Sequence, residues 1–122
     1  MTLDEFKTFC QEKYDATALY LWDDLDACVW RHHANGKWFA IYQRVRADHL
    51  SLGHASEFYD LINVKIEPEL RDGLLAQPGF LPAYRMNKNH WISFLLNDKR
   101  INNEQIAALV SLSWHLTSHH PT

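Results

Sequence analysis

A basic, asparagine-rich segment over residues 85–91 carries side chains suited to contacting a phosphate backbone. Arg85 and Lys88 supply positive charge, and Asn87 supplies an amide that can hydrogen-bond to backbone or bases. His90 and Trp91 then begin an apolar run. The same residues also suit a structural role, because asparagine side chains hold turns by bonding to nearby backbone. The sequence leaves both interpretations open and favours the structural one.

A predicted β-hairpin supplies a second candidate surface. Two β-rich runs, 27–33 and 37–45, flank Ala34-Asn35-Gly36, and Asn-Gly suits a two-residue turn with positive φ. The resulting register pairs His33 with Trp38 and places alternate residues on two faces. The more apolar face is expected to point to the core, and it holds Cys28, Trp30, His32, Phe39, Ile41, Gln43 and Val45. The other face is expected to be open, and it holds Val29, Arg31, His33, Trp38, Ala40, Tyr42 and Arg44.

The chemistry of this predicted open face suits nucleic acid. Trp38 and Tyr42 can stack on bases while Arg31 and Arg44 supply charge, as in proteins that hold single strands without sequence preference. The hairpin tip, with Lys37, is a candidate for entering a groove. Two other interpretations stand beside this one. The arginine stems can cover the rings on a solvated face, or the face can form a homodimer contact, since aromatic residues and arginine are enriched at interfaces.

Metal binding is weakly indicated. His115 and His119 lie four residues apart, with His120 adjacent, but histidines at the end of a chain are more typical of adventitious binding. No spacing matches a structural zinc site. The acidic residues between 23 and 26 are best explained as a solvated turn. We therefore expect no metal site.

Nucleophilic catalysis is not indicated either. Cys10 falls on the predicted buried face of the first helix, and burial makes a thiol inert. Ser93 lies within a predicted strand and lacks the flanking glycines of a nucleophile elbow. The four glycines are isolated and form no phosphate-binding loop. We expect a protein that is not an enzyme, with no cofactor and no evident small-molecule ligand.

The elements that must position these residues follow from periodicity and capping signals. Thr2 and Glu5 form a capping-box pattern, which predicts a helix from residue 3 to about residue 14. Asn102 is placed to cap a last helix from residue 103. The remaining predictions are a short strand at 18–22, a loop at 46–60, strands at 61–66 and 90–96, and a helix whose first turn holds Pro68.

This order of elements predicts an α+β fold in which an antiparallel β-sheet has its helices packed on one face. At 122 residues the chain is expected to form one domain, residues 1–122. The predicted core draws on the hairpin and the last helix: Trp30, Phe39, Ile41, Ile106, Leu109 and Val110.

Composition sets limits on location and partners. No apolar run approaches the roughly 20 residues that cross a bilayer, so no membrane association is expected. Two distant cysteines indicate reduced thiols in a cytoplasmic protein. A net charge of -3 disfavours strong binding to DNA, although residues 31–100 hold ten Lys/Arg against seven Asp/Glu and can carry a local basic surface.

Three segments together resemble the MmcQ/YjbR-like family of small bacterial domains. They are the Pro82–Trp91 stretch, the run Asn63–Leu70 with its Pro-Glu-Leu, and Asn97-Asp98 followed by a helix from Asn103. The resemblance implies an α+β fold, related in outline to frataxin-like folds, and DNA binding. Carried over residue by residue, it points to Tyr84, Arg85, Met86, Asn87, Lys88, His90 and Trp91.

The leading hypothesis is a non-catalytic DNA-binding or DNA-associated domain whose binding is weak and largely electrostatic. Its predicted nucleic-acid-binding residues are Arg85, Asn87, Lys88, His90, Trp91, Arg31, Lys37, Trp38 and Arg44. The alternative is a protein-interaction or self-association module that uses the aromatic hairpin face to bind a protein partner or to form a homodimer. A continuous positive stripe joining Arg85 and Lys88 to Arg31 and Arg44 would favour the first, and scattered cations beside an aromatic patch would favour the second.

Overall fold

The computed structural model describes residues 1–54 and 56–118. Three α-helices and five strands form its framework, with short 3-10 turns at Ala47–Leu50 and Pro68–Leu70. The helices are α1 (Leu3–Tyr14), α2 (Arg71–Leu75) and α3 (Asn103–Thr117). The strands are β1 (Ala27–Arg31), β2 (Trp38–Arg46), β3 (Phe58–Lys65), β4 (Phe80–Pro82) and β5 (Trp91–Leu95).

The strands form one antiparallel sheet in the order β1-β2-β3-β5-β4, and the helices pack on one of its faces. Both long helices begin as the sequence predicts. Thr2 and Glu5 make the reciprocal bonds of a capping box, and the Asn102 side chain accepts from Gln105 N at 2.8 Å. The predicted α+β fold is confirmed.

A single apolar core fills the space between the helices and the sheet. Phe6 of α1 packs edge-on against Trp30 of β1, with ring centroids 5.0 Å apart. The predicted core positions of α3 are all buried there: Ile106, Leu109 and Val110. The opposite sheet face has only a small buried cluster, formed by Val45, Leu61 and Leu95. One face of the sheet is therefore left largely without a helical cover.

The β1–β2 hairpin has a different register from the predicted one. Trp38 lies opposite Arg31, and Ala40 lies opposite Trp30. The pairing advances by one residue on β1 and by two on β2, so Phe39 is the extra residue of a β-bulge. Phe39 and Ala40 both belong to the helix-covered core.

The loop of this hairpin is also longer than predicted. It spans residues 33–36 rather than Asn35 and Gly36 alone, since His32 N donates to Lys37 O at 2.9 Å across its base. The Asn35 amide oxygen accepts from Lys37 N at 2.8 Å, and its nitrogen donates to Thr117 O of α3 at 2.9 Å. The loop is thus tied to the last helix, and only Gly36 adopts a positive φ, 73°.

The predicted faces of β2 are wrong beyond Phe39, because the bulge shifts the register there by one residue and turns the following side chains over, while Trp38 stays on its predicted face. Ala40, Tyr42 and Arg44 share the helix-covered face with Cys28 and Trp30. Ile41, Gln43 and Val45 share the other face with Val29 and Arg31. Burial of Trp30, Phe39 and Ile41 is confirmed, although Ile41 is buried on the opposite face. Val29, Ala40 and Tyr42 were predicted to be open, and they are buried.

Several other element predictions need correction. The predicted strand at 18–22 is reduced to a single bridge between Leu19 and Val29. The predicted loop at 46–60 contains a 3-10 turn and the start of β3. The three-residue strand β4 was not predicted, because it is short and ends in Pro82. Within the described residues, no helix is both long and apolar enough to cross a membrane.

Candidate nucleic-acid interface on the open sheet face

The face of the sheet that the helices do not cover is called the open face here. Its strand positions follow from the register: Ala27, Val29, Arg31, Trp38, Ile41, Gln43, Val45, Tyr59, Leu61, Asn63, Lys65, Leu81, Trp91, Ser93 and Leu95. None of these described positions is acidic, and two are cations. The strand positions of the open face therefore carry a net positive charge although the whole chain is negative.

Two cation–tryptophan pairs lie at one end of this face. Arg31 is opposite Trp38 across β1 and β2, and Lys65 is opposite Trp91 across β3 and β5. Trp38, Lys65 and Trp91 are partly exposed and Arg31 is exposed. The ion pairs within the described residues are formed by Arg46, Arg71 and Arg100. Neither Arg31 nor Lys65 takes part in one. β2 and β5 are two strand spacings apart, so the two tryptophans stand roughly 10 Å from each other.

The connection between β4 and β5 contains the basic, asparagine-rich segment, and much of that segment holds its own turn. The Asn87 side chain accepts from Asn89 N at 2.9 Å, and Asn87 O accepts from Trp91 N at 3.0 Å. The Lys88 ammonium donates to Ala83 O at 2.7 Å. The Asn87 side-chain contact is the one that the structural interpretation of the segment predicts, and the Lys88 contact adds a bond that was not predicted.

A closed ring of hydrogen bonds fixes the start of this connection to the sheet. Tyr84 N donates to the Ser93 hydroxyl at 2.9 Å, Ser93 donates to the Asn63 amide oxygen, and the Asn63 amide nitrogen donates to Tyr84 O at 3.2 Å. Asn63 is 2% exposed and Ser93 is 0% exposed. Because both polar groups are buried and satisfied, the ring holds Tyr84 and its neighbours in place over the open face.

Arg85 and Met86 follow Tyr84 and form one wall of a groove in the open face. The Arg85 guanidinium lies over the Tyr84 ring, 5.3 Å from its centroid. Trp22, which precedes β1, contacts Trp38 edge-on at 5.8 Å and forms the facing wall. The structure thus brings together Arg31, Trp38, Arg85 and Trp91 of the predicted binding residues, and it adds Lys65 and Trp22 to them.

Other predicted binding residues lie elsewhere. The expectation that Arg44 shares a face with Arg31 and Trp38 is wrong, since Arg44 is on the helix-covered face with its guanidinium 4.7 Å from the Phe58 ring centroid. Lys37 is exposed at the hairpin loop. His90 is exposed just before β5, and its carbonyl accepts from Ile66 N at 2.9 Å. The continuous four-cation stripe that would favour nucleic acid is therefore not formed, since Arg44 lies on the opposite face of the sheet.

Four residues of the open face and its groove were not predicted as binding residues, and their sequence patterns explain why. Lys65 follows Val64 in a strand that reads as almost continuously apolar, so alternation alone gave it no face. Gln43 was assigned to the core by the shifted register. Asn63 was noted only as part of a motif, and its burial depends on a contact with Tyr84, 21 residues away. Trp22 had no strand pattern that would bring it over β2.

The burial of the cysteine side chains and the grouping of the histidine side chains bear on whether they could act as nucleophiles or as metal ligands. Cys10 and Cys28 are unpaired and buried, and burial raises the pKa of Cys28 to about 11 and that of Cys10 further. Among residues 1–54 and 56–118, no group of three His, Cys, Asp or Glu side chains is placed to hold a metal ion. The predicted cluster around His115 lies partly outside the described residues, because it includes His119 and His120.

These features define a small α+β domain with a cation- and tryptophan-bearing open sheet face. The YjbR family model matches residues 11–116. The uncharacterized protein YyaQ of Bacillus subtilis is 34% identical over 119 residues, which cover 96% of this chain and 98% of YyaQ. The chain therefore belongs to the YjbR family, which confirms the resemblance seen in its sequence.

Solved structures agree with this assignment. A crystal structure of a Pseudomonas syringae protein matches with a TM-score of 0.91 and 36% identity, covering 96% of this chain and 99% of that one. A solution NMR structure of a protein from Pseudomonas syringae matches with a TM-score of 0.85 and 35% identity, covering 100% of this chain and 98% of that one. A Deinococcus radiodurans protein with a DUF419 domain matches with a TM-score of 0.70 and 22% identity, covering 94% of this chain and 77% of that one. At this identity the match supports the fold alone.

Proposed function

We propose that this protein is a non-catalytic DNA-binding domain that holds single strands on its open face. The observation that carries the proposal is the cross-strand placement of a cation opposite a tryptophan at two positions of the open face, Arg31 opposite Trp38 and Lys65 opposite Trp91. Aromatic rings that stack on bases, flanked by cations that contact phosphates, are the usual means of holding a single strand without sequence preference. We place this activity in the cytoplasm, where unpaired thiols such as Cys10 and Cys28 stay reduced.

The geometry favours a single strand over a duplex. Rings in the plane of a sheet surface can stack only on bases that are unpaired and turned outward. Trp38 and Trp91 stand roughly 10 Å apart, about three times the 3.4 Å rise of stacked bases, so they serve different nucleotides. Binding is expected to be weak, because the net charge of -3 opposes the approach of a polyanion.

The first test is fluorescence anisotropy with labelled single-stranded and duplex DNA of mixed sequence, at several salt concentrations. Arg31→Ala and Lys65→Ala should each flatten the slope of log K against log salt by about 0.7, the value for one phosphate contact on a single strand. Trp38→Ala should weaken single-strand binding by about 1–3 kcal/mol, the contribution of one base stacked on an aromatic ring.

Arg46→Ala is the matched control for the charge variants. Arg46 is exposed, lies on the same sheet and is already paired with Asp48 at 2.6 Å, so its removal should leave the salt slope unchanged. No single-strand binding at about 100 μM protein and about 50 mM salt, where non-specific binders register, would overturn the proposal.

A second candidate function is protein interaction or self-association through the same region. It is favoured by apolar side chains exposed in the open-face groove: Leu25, at 37%, lies there with the partly exposed Trp22 and Trp38. Sedimentation velocity of the wild type and of Trp38→Ala separates the two functions. A concentration-dependent dimer that Trp38→Ala abolishes, without DNA binding, would favour this second function.

A further inference from the structure

The groove in the open face has the size of a single ring system. Its volume is about 250 Å3, below the roughly 300–1,000 Å3 of pockets for drug-sized ligands. Its lining includes Trp22, Trp38, Gln43, Asn63, Arg85 and Met86. None of these is acidic, and Arg85 is the one cation among them. An occupant is therefore expected to be planar, largely apolar on its faces and attached to negative charge.

The walls of the groove are suited to a flat ring. Trp22 and Trp38 meet edge-to-face, with centroids 5.8 Å apart and planes at 84°, and both are partly exposed. Met86 lies in the opposite wall, where the polarizable thioether can contact an aromatic ring favourably. That wall is held by the hydrogen-bond ring of Tyr84, Ser93 and Asn63, so the groove is preformed.

Two amide side chains supply polarity among these apolar walls. Gln43 is partly buried in the groove, and its side-chain amide makes no hydrogen bond to another described residue. Asn63 uses one of its two N–H groups on Tyr84 O. A primary amide offers a donor and an acceptor side by side, which is the pattern that glutamine and asparagine use to pair with the N6 and N7 atoms of adenine.

Arg85 adds a cation at the rim. Its φ is 59°, in the left-handed region that residues other than glycine seldom adopt. Such a conformation costs free energy and persists where the surrounding structure over-determines it, as at ligand-binding positions. Arg85 is exposed and forms no ion pair with another described residue. Its guanidinium is thus available for the phosphate of a nucleotide whose base enters the groove.

We propose that the groove accepts one unstacked adenine base of a bound single strand, with the Gln43 amide pairing with the base edge and Arg85 contacting the phosphate. This inference rests on the proposed function, and it adds base selectivity to an otherwise non-specific surface. Trp22 and Trp38 enclose the ring, while Arg31 and the Lys65–Trp91 pair hold the flanking nucleotides.

The test compares labelled 12-mers of dA, dT and dC by anisotropy at about 50 mM salt. Wild type should prefer dA over dT and dC by roughly 5- to 150-fold, the discrimination of one bidentate amide–base contact. Gln43→Leu should abolish that preference, so that dA binds no more tightly than dT and dC. Gln43→Glu, which keeps the shape but removes the amide donors, should also lose the dA preference.

Arg85→Gly tests the rim without adding strain, because glycine adopts positive φ at no steric cost. It should weaken all three oligonucleotides equally and flatten the salt slope by about 0.7. If all three bind equally and both Gln43 variants change nothing, the base-reading groove is overturned while single-strand binding stands. If no oligonucleotide binds, the proposed function itself fails.

Discussion

At the scale of single residues, the buried pair Asn63 and Ser93 decides where the motif segment lies. Both are polar and almost fully buried. Each side chain forms hydrogen bonds with the other and with the Tyr84 backbone. A buried polar pair is stable only when every member is satisfied. The pair therefore sets the position of Tyr84, and through it the wall formed by Arg85 and Met86.

We predict that Ser93→Ala lowers the free energy of unfolding by about 1–3 kcal/mol. The change leaves Tyr84 N and the Asn63 amide oxygen buried without a partner, and unsatisfied buried groups cost that much. Urea unfolding measures the loss. Ser56→Ala is the matched control, since Ser56 is exposed and should lose less than about 0.5 kcal/mol. Equal losses for the two variants would contradict the role assigned to Ser93.

At the scale of elements, capping and periodicity predicted the helices well, because those signals are local. The α1 bounds, 3–14, and the Asn102 cap of α3 were read directly from neighbouring residues. The hairpin loop was not predicted well, since Asn35 bonds to Thr117 O, 82 residues away in sequence. A local Asn-Gly pattern cannot reveal a partner that only the folded chain brings near.

The same distinction explains the candidate binding surface. Arg31 and Trp38 were placed together correctly, because both registers put them on one face. Arg44 was misplaced, because the bulge at Phe39 turns the rest of β2 over. Lys65 became a candidate only when β3 was paired with β5.

We predict that Leu109→Ala in α3 lowers the free energy of unfolding by about 2–5 kcal/mol, the cost of a large-to-small change in a core. Leu109 is 7% exposed between the helix and the sheet. The same substitution at Leu70, which is 43% exposed, is the control and should cost less than about 1 kcal/mol. Chemical denaturation compares the two, and a loss under about 1 kcal/mol at Leu109 would mean that α3 is peripheral.

At the scale of the whole molecule, ionisation links the core to pH. Burial raises the pKa of the Cys28 thiol to about 11 and raises that of Cys10 as well. In the unfolded chain the ordinary value is about 8.5. Between these values the folded protein keeps protons that the unfolded chain has lost, so rising pH favours unfolding.

We predict that the free energy of unfolding falls as pH rises above about 8.5, by up to about 1.4 kcal/mol per pH unit for each buried thiol. Urea titrations at pH 8, 9 and 10 measure this slope. The double variant Cys10→Ala/Cys28→Ala should show a shallower slope over the same range, because it has no thiol to ionise. Identical slopes for the two proteins would show that the thiols do not control alkaline stability.

The two rims of the sheet set how far this protein can associate. Along β1, Leu19 and Val29 exchange two backbone bonds, at 2.9 and 3.0 Å. The opposite rim, β4, is three residues long and ends in Pro82, which has no N–H to donate. Neither edge of the sheet has a long row of unpaired backbone groups. Such rows allow strands of other molecules to pair edge to edge and form fibrils. The fold can therefore expose tryptophans on one face of the sheet, while its two edge strands, β1 and β4, disfavour open-ended polymerisation by strand pairing.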